Sequence, residues 1–213
     1  MQMTSATNNK LRPDMAIIAD WIRPGSRVLD LGCGDGTLMA YLAREKNVTG
    51  YGIEIDDQYI APCIRTGINV IQTDMDKGLA EFDDNSFDHV VLSLTLQAMH
   101  YPDKLLVEML RVGTEGIVTF PNFGHWSTRI QLALLGKMPV SRALPNEWYD
   151  TPNIHLCTIK DFEKLCRELR FTILERHAVD HAHKTSLGLR LLPNLLGEIA
   201  LYRFRRTSGS KGT

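Results

Sequence analysis

Residues 28–36 read Val28, Leu29, Asp30, Leu31, Gly32, Cys33, Gly34, Asp35, Gly36, and no other stretch constrains the fold as tightly. A short apolar run with one acid enters three closely spaced glycines, and helical spacing begins at Thr37. Glycines at 32, 34 and 36 permit positive φ and remove the Cβ atoms that would hold a ligand away from the backbone. A strand that turns on such a loop into a helix opens a βαβ unit.

The rest of the chain keeps that rhythm. β-rich runs fall at 27–31, 48–53, 68–72, 87–93 and 115–120, most of them separated by helical spacing. The clearest helices are predicted at 14–22, 37–46, 57–66, 103–111 and 159–169, the last opened by a capping box of Thr158 and Asp161. Strands alternating with helices imply a mainly parallel sheet covered on both faces, with its ligand site beyond the carboxyl ends of the strands. Late strands are expected at 171–176 and 199–205.

The 213 residues hold 24 Lys+Arg and 25 Asp+Glu, a net charge of −1, so the chain is no polycation and nucleic acid is not an expected partner. The balance is uneven along the chain: residues 1–100 sum to −6 and residues 101–213 to +5. No apolar run approaches the roughly 20 residues that span a bilayer, and the polar N-terminus does not read as a secretory signal. The cytoplasm is the expected compartment. Cys33, Cys63, Cys157 and Cys166 lack zinc spacing and are read as reduced thiols; no metal site is expected. One domain is predicted over 11–206, with flexible ends at 1–10 and 207–213.

The dinucleotide fingerprint is G-x-G-x-x-G, whereas this loop is spaced G-x-G-x-G, which weighs against a nicotinamide cofactor. Glu54 ends the second strand, where a carboxylate can accept hydrogen bonds from both ribose hydroxyls. Asp74 follows the third strand, where it can accept from an adenine amine while Met75 covers the ring. The set points to an adenosine ligand with no demand for phosphate.

Over residues 12–120 this order resembles the class I S-adenosylmethionine-dependent methyltransferases. The resemblance implies an α/β, three-layer Rossmann-like fold with a mainly parallel seven-stranded sheet whose last strand is antiparallel. It implies that Asp30, Gly32, Cys33, Gly34 and Gly36 lie along the amino-acid portion of S-adenosylmethionine or S-adenosylhomocysteine. Glu54 and Ile55 would take the ribose side, Asp74 and Met75 the adenine, and Ser93 the end of the fourth strand. No catalytic residue is assigned, because the fourth strand runs through Ser93 to Gln97 without an Asn/Asp-Pro-Pro-aromatic motif or an adjacent titratable base. His100 reads as a capping or surface residue, and His177, His181 and His183 as solvated.

Two further stretches carry aromatic and polar residues. Phe120 to Trp126 leaves the fifth strand and brings Asn122, His125 and Trp126 toward the expected pocket, with Ser127 as the predicted cap of a helix over 128–135. Residues 136–157 hold Pro139, Pro145 and Pro152 with Trp148, Tyr149 and His155, and show no steady period. Such a segment is either a lid or partner-binding insertion, or a crossover whose rings pack on the core. With the glycine loop, these stretches resemble the MetW family of methionine-biosynthesis proteins over about 11–205. That resemblance implies an accessory partner of the homoserine O-acyltransferase MetX that supports O-acylation, especially succinylation, of homoserine. It makes Asn122, His125, Trp126, Trp148, Tyr149 and His155 candidates for substrate or partner contact. An independent methyltransferase acting on a small molecule is the alternative, and a nicotinamide oxidoreductase ranks third.

Overall fold

The computed structural model describes residues 11–180 and 187–207. The expected terminal tail at 1–10 and, apart from Thr207, that at 207–213, with His181 and His183, lie outside the described residues. A seven-stranded sheet in the order β3-β2-β1-β4-β5-β7-β6 organises the chain. Its strands are β1 (Arg27–Leu31), β2 (Thr49–Glu54), β3 (Val70–Gln72), β4 (Phe87–Ser93), β5 (Gly113–Pro121), β6 (Phe171–Val179) and β7 (Ile199–Arg206). β1 to β5 pair in parallel, and β7 runs antiparallel to both β5 and β6. Six strands therefore share one direction and the last opposes them.

The helices are α1 (Pro13–Trp21), α2 (Thr37–Lys46), α3 (Asp57–Arg65), α4 (Pro102–Val112), α5 (Trp126–Leu135), α6 (Ile159–Glu168), α7 (Leu187–Leu191) and α8 (Pro193–Leu196). Alternating side chains give the sheet two buried faces. Leu29, Val90, Val118 and Tyr202 face α4 and α6, meeting Leu106, Met109 and Phe162. Val28, Val91, Ile117 and Leu201 face α1 and α2, meeting Ile18, Ile22, Leu38 and Leu42. Burying each such side chain stabilises the fold by about 1.5–3 kcal/mol, so both layers hold the sheet.

Local chemistry explains the element ends. α6 opens on the expected reciprocal cap: Asp161 N donates to Thr158 Oγ1 and Thr158 N to Asp161 Oδ2. α5 departs from expectation, starting at Trp126 with His125, not Ser127, as its N-cap. The imidazole Nδ1 accepts from Ser127 N at 3.4 Å and meets Ser127 Oγ at 2.8 Å, so the ring takes the capping place and the serine supports it. β6 runs three residues past the expected end because β7 pairs with it as far as Val179. His177 is half-buried against Trp21, ring centroids 5.5 Å apart, and is not the solvated residue expected.

Residues 136–157 form neither helix nor strand. The segment is nevertheless fixed: Ile154 N and His155 N donate to Gln97 O, Phe123 N donates to Cys157 O, and Leu144 is buried. Its rings do not pack on the core. Trp148 and Tyr149 are 70% and 71% exposed, meeting edge to face at 5.7 Å, which overturns the crossover with buried rings.

Candidate functional site

The glycine loop sits at the carboxyl edge of the sheet, between the ends of β1, β2 and β4. Gly32 N and Cys33 N donate to Ile53 O, at 2.8 and 3.0 Å, tying the loop to β2. Gly32 adopts φ +70°, and a Cβ there would press on Thr95 Oγ1 at 2.8 Å. Gly34 adopts φ +54°, and a Cβ there would project into open space. The loop is thus tight toward the protein and open on its outer side.

Acidic groups surround that opening. Asp30 is 2% exposed, and among the described residues its carboxylate has no hydrogen-bond or ion-pair partner. Burial first, and the charge of Glu54 second, push its pKa up to about 7. Glu54 Oε2 accepts from Gly34 N at 2.8 Å, and Oε1 accepts from Ile55 N and Asp56 N. Three backbone donors hold this carboxylate against the loop, beside the exposed side chain of Ile55. Asp74 accepts from Asp76 N and caps a short 3₁₀ turn that buries Met75. Ser93 Oγ lies 3.2 Å from Thr119 Oγ1, joining the ends of β4 and β5.

Three supporting residues escaped the sequence reading. Cys63 of α3 donates its thiol to Gly34 O at 3.0 Å, with Cys33 Sγ 3.7 Å from its own sulfur. Burial is the main cause that pushes both thiols above their usual range, keeping them neutral. Leu94 takes φ +58°, a left-handed turn costly for a leucine, with its N–H donating to Thr119 O and Oγ1. Thr95, which packs against Gly32, follows it. Nothing in the sequence around 94 signals that turn, since Gly or Asn is the usual sign.

The second set of candidates is not brought to one place. Asn122 is buried, and its amide serves the fold: Nδ2 donates to Asn194 O and Gly197 O, while Oδ1 accepts from Gly124 N and Ile159 N. His125 caps α5, and Trp126 lies half-exposed beside it at 5.5 Å. His155 Nε2 lies 3.3 Å from His100 O, while the His100 ring bonds Asp76 at 2.7 Å on the surface. Trp148 and Tyr149 face solvent.

A cavity of about 220 Å³ opens past Leu94, lined by Arg12, Asp14, Arg142, Asp180 and Glu198. Arg12 grips the buried Asp14 through two bonds of 3.1 and 2.8 Å. Among the described residues, no group of His, Cys, Asp and Glu is placed to hold a metal ion, and no helix is long and apolar enough to cross a membrane.

The family model described as "Methionine biosynthesis protein MetW" matches residues 12–204. The chain belongs to the MetW family. It is 34% identical over 205 residues to a bifunctional methionine biosynthesis protein MetXA/MetW of Rhodopirellula baltica, covering 92% of this chain and 33% of that relative. The chain thus spans about a third of the length of that curated relative. Among solved structures, an S-adenosylmethionine-dependent methyltransferase from Mesorhizobium loti superposes with TM-score 0.67 at 18% identity, covering 92% of this chain and 98% of that one. One from Archaeoglobus fulgidus gives TM-score 0.64 at 16% identity, covering 90% and 91%. These two matches establish the class I methyltransferase fold. Together with the family match, they place this chain in methionine biosynthesis on a methyltransferase-like scaffold.

Proposed function

We infer that this MetW-family chain is an accessory subunit of the homoserine O-acyltransferase MetX in the cytoplasm, supporting O-succinylation of homoserine while holding S-adenosylmethionine or S-adenosylhomocysteine. The observation that carries the partnership is the relative in which MetXA and MetW form one polypeptide. Joining two domains holds them at high effective concentration, which is useful where they work together.

The glycine-loop residues fit the cofactor. The open side of Gly34 leaves room for close backbone approach, and the partnerless Asp30 carboxylate suits an ammonium group. Glu54, already aimed at the loop by three N–H donors, is placed for ribose hydroxyls, with Ile55 beside it. Asp74 and Met75 flank the adenine position, and Cys33, Gly32, Gly36 and Ser93 complete the wall. When bound, S-adenosylmethionine supplies a positive sulfonium centre and an activated methyl group; the chain's own part is to orient it and balance its charge.

The same reading treats the cofactor as a reporter of methionine-pathway output, because it is itself made from methionine. Reporting requires unequal affinity for the free and partnered chain. A second reading, an independent methyltransferase, draws support from the cavity beside Leu94, whose Asp180 and Glu198 carboxylates could face an acceptor.

Homoserine succinylation by purified MetX, with and without this chain, separates the two. Stimulation supports the accessory role; an unchanged rate, with methyl transfer to an added acceptor, supports the second. Calorimetry of S-adenosylhomocysteine on Glu54→Ala should show binding weaker by about 1–3 kcal/mol. Unaltered affinity would place the cofactor elsewhere.

A further inference from the structure

Helix α5 is apolar around most of its circumference and yet stands at the surface. Only Thr128 of its ten residues is buried, whereas Trp126, Ile130, Leu132, Leu134 and Leu135 are exposed, Leu134 to 77%. A helix of this composition belongs in a core or an interface, because each exposed side chain forfeits its transfer free energy. Trp126, Ile130 and Leu134 recur every four residues and stack into one stripe. Gln131 holds the backbone of Val140 through two bonds of 3.2 Å, so the exposed Met138 and Val140 extend the same surface. A contiguous apolar surface of this kind marks an interaction site.

Charge narrows the choice of occupant. Helices that lie on membranes carry a polar face rich in Lys and Arg. Arg129 is the one charged residue of α5, and although exposed its guanidinium is held by Gly124 O at 2.6 Å and Asn194 O at 3.4 Å, so the helix carries no basic face. The segments outside the described residues, 1–10, 181–186 and 208–213, are predominantly polar in sequence and offer no apolar complement. A protein groove fits the stripe best, since helix recognition reads anchors at this spacing.

We propose that α5 is the docking helix for the homoserine O-acyltransferase, with Trp126, Ile130 and Leu134 entering an apolar groove on that enzyme. This rests on the accessory role inferred above. α5 also leaves β5 at the carboxyl edge of the sheet that bears the glycine loop, with Ser93 and Thr119 joining β4 to β5 between them. Docking there acts on the edge where cofactor is held.

The test is the affinity of the full chain for the purified acyltransferase, by biolayer interferometry. Wild type is compared with the Ile130→Glu/Leu134→Glu double variant, with the milder Leu134→Ser, and with Ile64→Glu. Ile64 is a 64% exposed control on α3, which packs at the β2–β3 end of the sheet. The double variant should bind roughly 30-fold more weakly or worse, Leu134→Ser should shift the same way, and Ile64→Glu should match wild type. Circular dichroism should be unchanged in all three, since the substituted positions are solvent-facing. Full affinity in the double variant overturns the docking helix and leaves the accessory role standing. If wild type itself fails to bind, the accessory role falls and the docking helix with it. Self-association by sedimentation, lost in the double variant, would reassign the stripe to a second copy of the chain.

Discussion

Asp30 pays for its position with its proton affinity. Burial and the neighbouring Glu54 charge push it up to about 7, against an ordinary aspartate near 3.9. Between about pH 4 and pH 7 the folded chain keeps a proton that the unfolded chain has released, so this residue's contribution to stability falls as pH rises through that window. Asp30→Asn removes the titration. In urea denaturation of the ligand-free chain, the variant's stability relative to wild type should rise by a few kcal/mol from about pH 5 to pH 8. Parallel pH profiles would show that the carboxylate is not strained. The positions of Asp30 near the end of β1, Glu54 at the end of β2 and Asp74 after β3 were legible in the sequence because each keeps a fixed place in the βαβ order. Cys63 and Leu94 were not: one braces Gly34 across 29 residues, and the other takes a backbone turn that leucine does not advertise.

At the scale of elements, the turn after β5 is a joint. Asn122 ties it to the α8–β7 connection and to the first residue of α6. Asn122→Ala would leave Gly124 N, Ile159 N and Gly197 O without that partner, and should destabilise the chain by roughly 2–4 kcal/mol. Urea unfolding measures the loss; a substrate-contacting asparagine would instead leave stability near wild type. The sequence placed Asn122 correctly at the strand exit, but three of its four side-chain partners, Ile159, Asn194 and Gly197, lie more than 30 residues away. The same limit applied to α5, where local capping patterns favour a serine and the folded imidazole takes the place.

β4 also carries a buried histidine, His89, with no hydrogen bond to either ring nitrogen. Glu115 of β5 lies 3.4 Å away, Arg203 of β7 pairs with that carboxylate at 3.6 Å, and Asp88 and Arg23 add opposing charges. Burial is the largest influence and lowers the pKa, so the folded state favours neutral imidazole. Its contribution is present above the unfolded value near 6.5 and is lost as pH falls below it, because the unfolded chain then takes up the proton more readily. His89→Leu should flatten the stability profile between about pH 7 and pH 5 relative to wild type. An unchanged difference between the two across that range would mean that His89 titrates normally in the fold.

Across the whole molecule, the near-zero net charge conceals an acidic half and a basic half. β1 to β4, with the acidic loop that suits a cationic cofactor, belong to the first; the α5 stripe and residues 136–157 belong to the second. The mainly parallel sheet was legible because βαβ order survives in a single sequence, and the family, with the opposed last strand it implies, because its motifs are distinctive; the strand order came only with the fold. The apolar surface was less legible, since a helical stripe reads alike whether it faces a core or a partner. Under the proposed function, cofactor occupancy in the first half governs a partner bound through the second. The most direct test is the rate of homoserine succinylation by the reconstituted pair across a titration of S-adenosylmethionine, for wild type and Glu54→Ala. The wild-type pair should show a rate that changes with cofactor, and the variant the same change displaced to roughly 5- to 150-fold higher cofactor. A rate that stays flat in the wild-type pair, or that responds identically in both, would contradict it.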